Sequence, residues 1–210
     1  MKLSTTHYLF ILDKSGSMAT CWDETISALR TQFLQIEKYS KENVEHQVKA
    51  SLIYFDNQPK HGFTDIDGKK LALSLSLTER PNGGTALMDA IGIGIHQLQQ
   101  RMKPQDDAIV IMLTDGEENA SQLYTFQQIA EIMDKLRATE KWTFTLLGAE
   151  VDAFESIGSK LNMQRNHVYM YEKSKTSQVF DEINYKTQSF FEKKSKGESL
   201  KDVFNFDDSI

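Results

Sequence analysis

The chain has 210 residues, enough for one large domain or one domain with an extension. Hydrophobic residues make up 40% and charged residues 26%, the ordinary balance of a soluble globular protein with a sizeable core. A net charge of -6 disfavours a general nucleic-acid-binding role, and acidity this mild bears on solubility more than on function.

Tyr8–Leu12 (YLFIL) is a continuous apolar run, as expected of a strand buried on both faces. Thr25–Ser40 follows as a helix with Ile26, Leu29, Phe33 and Ile36 on one face. Val48–Phe55 reads as a second strand and Gly62–Ile66 as a weak third, a short antiparallel edge. The alternating Leu71, Leu73, Leu75 and Leu77 suit a strand or a helix equally. Leu87–Met102 is the clearest helix, with Met88, Ile91, Ile95, Leu98 and Met102 on one face and Pro104 just past its end. Gly92 and Gly94 weaken it by roughly 1 kcal/mol each against alanine, and are expected to permit close packing on the sheet.

Ala108–Leu113 (AIVIML) is another strand buried on both faces. Tyr124–Arg137 is a helix, Thr143–Leu147 a strand, and Asp152–Leu161 a helix that Asp152 and Glu155 would cap. Val168–Tyr171 is a last short strand, and Thr176–Lys194 a final helix with Val179, Ile183 and Phe190 inward. The domain is thus expected over residues 1–194, with a polar, mobile tail over 195–210. Such alternation predicts an α/β fold: an open, mostly parallel, doubly wound sheet with helices on both faces.

Cys21 stands alone, so no intrachain disulfide forms, and it is expected to be a small buried or half-buried side chain. Trp22 and Trp142 are read as packing residues. The five histidines show no metal-ligand spacing. The N-terminus does not read as a signal peptide, and no stretch approaches the ~20 apolar residues of a membrane span. The cytoplasm is the expected location.

Ligands of such sheets bind at the carboxyl ends of the strands. Three segments fall there: Asp13-Lys14-Ser15-Gly16-Ser17-Met18, Gly83-Gly84-Thr85, and Thr114-Asp115-Gly116. A hard cation such as Mg²⁺ takes oxygen ligands in a near-octahedral shell. Asp13, Ser15 and Ser17 alternate along a tight loop, where Gly16 is expected to allow a sharp turn. Thr85 and Asp115 are placed to close the shell. Only the two aspartates are charged; together they roughly cancel a divalent ion, which stays electrophilic towards a further anion. Plainer roles compete: turn formation for the first loop and for Asp115, and a helix N-cap for Thr85. Glu117 and Glu118 read as solvated surface charge, and Asp56 as a loop residue.

Asp13, Ser15, Ser17, Thr85 and Asp115 together resemble the metal-ion-dependent adhesion site of the von Willebrand factor A domain family, with no position missing. The wording of Asp13–Met18, Gly84–Ile91 (GTALMDAI) and Thr114–Asn119 (TDGEEN) is similar to intracellular microbial members. The element order resembles the family from about residue 5 to residue 194. The resemblance implies a protein-interaction module whose divalent cation, Mg²⁺ with Mn²⁺ or Ca²⁺ as substitutes, binds a partner's Asp or Glu carboxylate. It also implies that the serines bind metal directly, while the threonine and second aspartate trade direct and water-mediated contact. Two other classes compete. A phosphatase of the haloacid dehalogenase type would need a second Asp where Ser15 stands, and neither a P-loop nor a G-x-S-x-G elbow is present. A scaffold subunit of an AAA+ ATPase, stress-response or phage complex rests on family analogy. Asp207 and Asp208 in the tail are a further expectation, as carboxylates able to occupy the metal's open position.

Overall fold

The computed structural model describes residues 4–75, 80–115, 117–148, 157–170, 176–196, 198 and 203–206. Thr5–Asp13 forms β1, buried along its whole length. Its side chains divide by parity. Tyr8, Phe10 and Leu12 enter one core layer, and Leu9 and Ile11 the other. β4 (Asp107–Thr114) divides in the same way, with Ile109, Ile111 and Leu113 on the first side and Ala108, Val110 and Met112 on the second. Central strands of a parallel sheet need apolar side chains on both faces because both are covered, which is why these two runs are continuous rather than alternating.

The six strands lie in the order β3-β2-β1-β4-β5-β6, with β2 at Gln47–Phe55, β3 at Pro59–Asp67, β5 at Trp142–Gly148 and β6 at Val168–Met170. All neighbours are parallel except β2 and β3, the antiparallel edge pair. One layer holds α1 (Trp22–Glu42), which contributes Leu29, Phe33 and Ile36, and α4 (Thr176–Lys196), which contributes Ile183, Phe190 and Phe191. The opposite layer holds α2 (Leu87–Gln99) and α3 (Phe126–Arg137). This is the doubly wound arrangement expected. Among the described residues, no helix is long and apolar enough to cross a membrane.

Several elements differ in detail. Gly68–Leu73 is a 3-10 helix, in which Leu71 is buried while Leu73 is 92% exposed; Leu77 lies outside the described residues. α2 gives way after Gln99 to a turn in which Arg101 and Met102 both donate to the Leu98 carbonyl. Residues 157–160 are helical, but the expected cap by Asp152 and Glu155 lies outside the described residues, as do the Val179 side chain and Tyr171. Val203, Phe204 and Phe206, from the stretch expected to be a polar mobile tail, are buried in the α1–α4 layer instead. The Phe206 amide donates to the Asn166 carbonyl (2.7 Å), and its ring meets Tyr169 edge-on. Three large apolar side chains within a charged segment outweigh its average polarity, since each stands to gain about 1.5–3 kcal/mol on burial. Asp207 and Asp208 lie outside the described residues.

The two glycines of α2 serve different neighbours. Gly94 faces the sheet, where a Cβ would stand 3.0 Å from Leu9 and 3.1 Å from Ile53. Gly92 faces the Tyr124 ring, and a Cβ there would stand 2.5 Å from two ring carbons. Gly92→Ala would gain about 1 kcal/mol of helix propensity but displace a packed ring at a cost of about 1–3 kcal/mol. A net loss of about 1 kcal/mol is expected in urea denaturation; a stabilised variant would show that the ring yields freely.

Candidate metal centre

β1 and β4 are adjacent, and the chain departs from them in opposite directions across the sheet. Their carboxyl ends therefore flank the topological switch point, where the connecting loops separate and leave a crevice. Pairing of Leu12 with Leu113 brings Asp13 level with Thr114, one residue before Asp115. The fold alone thus places the two aspartates on either side of that crevice.

Four of the five expected site residues form one continuous set of contacts. The Asp13 carboxylate accepts the Ser15 amide at 2.7 Å and the Thr114 hydroxyl at 2.6 Å. The Ser15 and Ser17 hydroxyls lie 3.0 Å apart, and the Ser17 hydroxyl donates to Asp115 Oδ1 at 2.7 Å. Thr85 reaches the same edge through its backbone. The Asn119 side chain accepts the Thr85 amide (2.9 Å), and the Asn119 amide donates to the Thr85 carbonyl (3.1 Å). Two further main-chain bonds tie this loop to the first, Gly16 N–H to Gly83 O (3.1 Å) and Asn82 N–H to Lys14 O (3.0 Å).

The chain turns sharply at Gly16, as expected. This glycine opens a 3-10 turn, Gly16–Thr20, and does not adopt a left-handed conformation; the turn closes through Met18 N–H to Ser15 O. Thr85 does not cap α2. The N-cap position is Ala86, without a side-chain cap, and the first-turn amides of Met88 and Asp89 go to Glu118 Oε2 (2.9 Å) and Ser121 Oγ (3.1 Å). Glu118 therefore sits at a helix N-terminus, where the dipole favours a carboxylate, rather than acting as solvated surface charge. Asp56 is also more than a loop residue. It is buried and pairs with Lys14 (3.2 Å) and Lys60 (3.1 Å), and its carbonyl accepts the Ala86 amide. Burial works against the Asp56 carboxylate, but hydrogen bonds from Lys60 and Lys14 prevail and hold its pKa below the usual value. Cys21, Trp22 and Trp142 are buried core residues.

The crevice holds two buried carboxylates, Asp13 and Asp115. Asp13 is fully buried, and burial pushes its pKa up to about 6 despite the hydrogen bonds from Thr114 and Ser15; the charge of Asp115 pushes it the same way. In an octahedral shell with metal–oxygen bonds of about 2.1 Å, neighbouring oxygens stand about 3 Å apart. The separations of 3.0 Å and 2.7 Å from Ser15 Oγ to Ser17 Oγ to Asp115 Oδ1 match that edge length. No group of three or more His, Cys, Asp or Glu side chains gathers among the described residues, so a hydroxyl-rich set with two carboxylates is what this edge offers. Such donors fit a hard divalent cation.

The family model described as von Willebrand factor type A domain matches residues 8–118. Among solved structures, proximal thread matrix protein 1 from the mussel byssus is 14% identical with a TM-score of 0.62, covering 86% of this chain and 45% of that one. A second structure of that protein, with a zinc-occupied MIDAS motif, is 15% identical with a TM-score of 0.60, covering 87% and 45%. The vWF domain of the type V pili tip protein Mfa5 from Porphyromonas gingivalis is 10% identical with a TM-score of 0.65, covering 90% of this chain and 97% of that one. At these identities the likeness is one of fold. The chain spans about 45% of the length of the byssus protein. No curated protein matches it.

Proposed function

The chain belongs to the von Willebrand factor type A domain family, and from that membership and the geometry of its crevice we propose that it is a metal-dependent protein-interaction module. Asp13, Ser15, Ser17, Thr85 and Asp115 hold one divalent cation, Mg²⁺ in the first instance. A partner's Asp or Glu side chain completes the shell. The observation that carries this reading is the run of contacts from Ser15 through Ser17 to Asp115, spaced as neighbouring ligands of an octahedral ion are spaced.

When bound, the ion supplies an electrophilic position for an anion. The chain's own residues do the rest. Thr114 and the Ser15 amide fix the Asp13 carboxylate. Asp115 orients the Ser17 hydroxyl. With two carboxylates against a charge of two, the loaded site has no excess negative charge to repel an acidic partner. The zinc-occupied MIDAS of the byssus protein supports a divalent ion at this place in the fold. The matrix protein and pilus tip protein named above support a binding role rather than catalysis.

Titration calorimetry tests the proposal. Mg²⁺ is expected to bind saturably at one site per chain, and immobilised protein is expected to retain an acidic peptide only while Mg²⁺ is present, losing it to EDTA. A folded chain that takes up neither Mg²⁺ nor Mn²⁺, with or without the peptide, sinks the proposal.

A further inference from the structure

Thr85 lies in a stretch, residues 80–86, that forms neither helix nor strand. A ligand on such a loop needs outside support, because a site loosens when its donors drift by about 0.5 Å. Two asparagines from opposite sides supply that support. Asn57, in the turn between β2 and β3, accepts the Gly84 amide through Oδ1 at 2.7 Å. Asn119, in the segment after β4, accepts the Thr85 amide through Oδ1 at 2.9 Å, and its own amide donates to the Thr85 carbonyl. Gly84 makes the approach feasible: a Cβ there would stand 2.7 Å from Asn119 Oδ1 and 3.0 Å from Asn57 Oδ1.

We propose that Asn57 and Asn119 are positioning residues, a clasp whose two side-chain carbonyls hold the Gly84–Thr85 backbone and thereby set the Thr85 hydroxyl for the cation. This rests on the metal-binding reading above. Both asparagines are exposed at the rim. The bond to Gly84 is exposed and the bond to Thr85 partly buried, and because the asparagines themselves face solvent, water can replace a lost side chain at little cost to global stability. Their effect should instead be felt at the ligand they orient, where outer partners of metal ligands are typically worth 10–100-fold in affinity.

Mg²⁺ is expected to bind Asn57→Ala and Asn119→Ala about tenfold more weakly than wild type. Asn57→Asp keeps an acceptor oxygen for the Gly84 amide and should restore most of the affinity. Gly84→Ala attacks the clasp from its other side and should weaken binding by a similar factor. In the metal-free proteins, hydrogen exchange at the Gly84 and Thr85 amides should accelerate in both asparagine-to-alanine variants while the Tm stays near wild type. A wild type that binds Mg²⁺ beside alanine variants that bind it equally tightly overturns the clasp and leaves the metal site standing. A wild type that binds none overturns the metal reading and the clasp with it.

Discussion

Asp13→Asn is expected to lose Mg²⁺ binding, by more than about 100-fold in affinity, without destabilising the metal-free fold. The loss exceeds the range seen for outer partners because a charged donor is removed from the site itself. The stability follows from two observations. First, both contacts of the carboxylate survive the change: the asparagine carbonyl accepts the Ser15 amide, and its NH₂ donates to the Thr114 hydroxyl once that hydroxyl rotates. Second, the native charge is costly. Burial, with Asp115 nearby, raises the Asp13 pKa from 3.8 to about 6. At about 1.4 kcal/mol per unit, ionisation costs the metal-free fold about 3 kcal/mol at neutral pH.

The sign is set by a folded pKa above the unfolded one. Below about pH 4 both states are protonated and the cost is absent. Between 3.8 and about 6 the unfolded chain ionises first, so stability falls as pH rises. Above about 6 the cost is complete. In EDTA, the asparagine variant should therefore gain about 1–3 kcal/mol over wild type at pH 7.5 and little at pH 4. Urea denaturation at both pH values, with calorimetry for Mg²⁺, checks this. A variant that binds Mg²⁺ normally, or one several kcal/mol weaker at both pH values, rules it out.

How much of this was legible in the sequence depended on how far apart the interacting residues are. Tyr8–Leu12 and Ala108–Leu113 declare themselves because burial on both faces leaves no polar position to interrupt these inner runs of β1 and β4. Asp13, Ser15 and Ser17 are legible because three donors within five residues form a local pattern. Asn57 and Asn119 are not: their side chains reach amides 27 and 34 residues away, and polar loop residues carry no period to flag them. Glu118 is missed for the same reason, since its helix-capping role is visible only once α2 stands beside it. The leucine series at 71–75 stays open between strand and helix for a different reason. Alternation fits a strand, yet a 3-10 helix buries Leu71 and exposes Leu73 just as well. Val203, Phe204 and Phe206 were masked by the charged composition around them.

The second large effect belongs to Asp89, a residue that binds no proposed ligand. Its carboxylate is buried and accepts three successive amides: Gln122 on Oδ2, and Leu123 and Tyr124 on Oδ1, each at 2.9 Å. The exchange is reciprocal, because the same segment supplies Ser121 and Glu118 to the first amides of α2. Asp89→Ala leaves three donors without an acceptor at once, and a loss of about 3–5 kcal/mol is expected in urea denaturation. Asp89→Asn separates charge from geometry. Its carbonyl still serves Leu123 and Tyr124, but its NH₂ faces the Gln122 amide donor to donor, so about 1–2 kcal/mol should be lost. An alanine variant within 1 kcal/mol of wild type would mean that water already satisfies these amides. The anchor also bears on the site, since Asn119 lies in the stretch between Asp115 and the amides that Asp89 holds. Mg²⁺ affinity should therefore fall in Asp89→Asn even under conditions where the variant is fully folded, because loosening the far end of that stretch loosens the hold of Asn119 on Thr85.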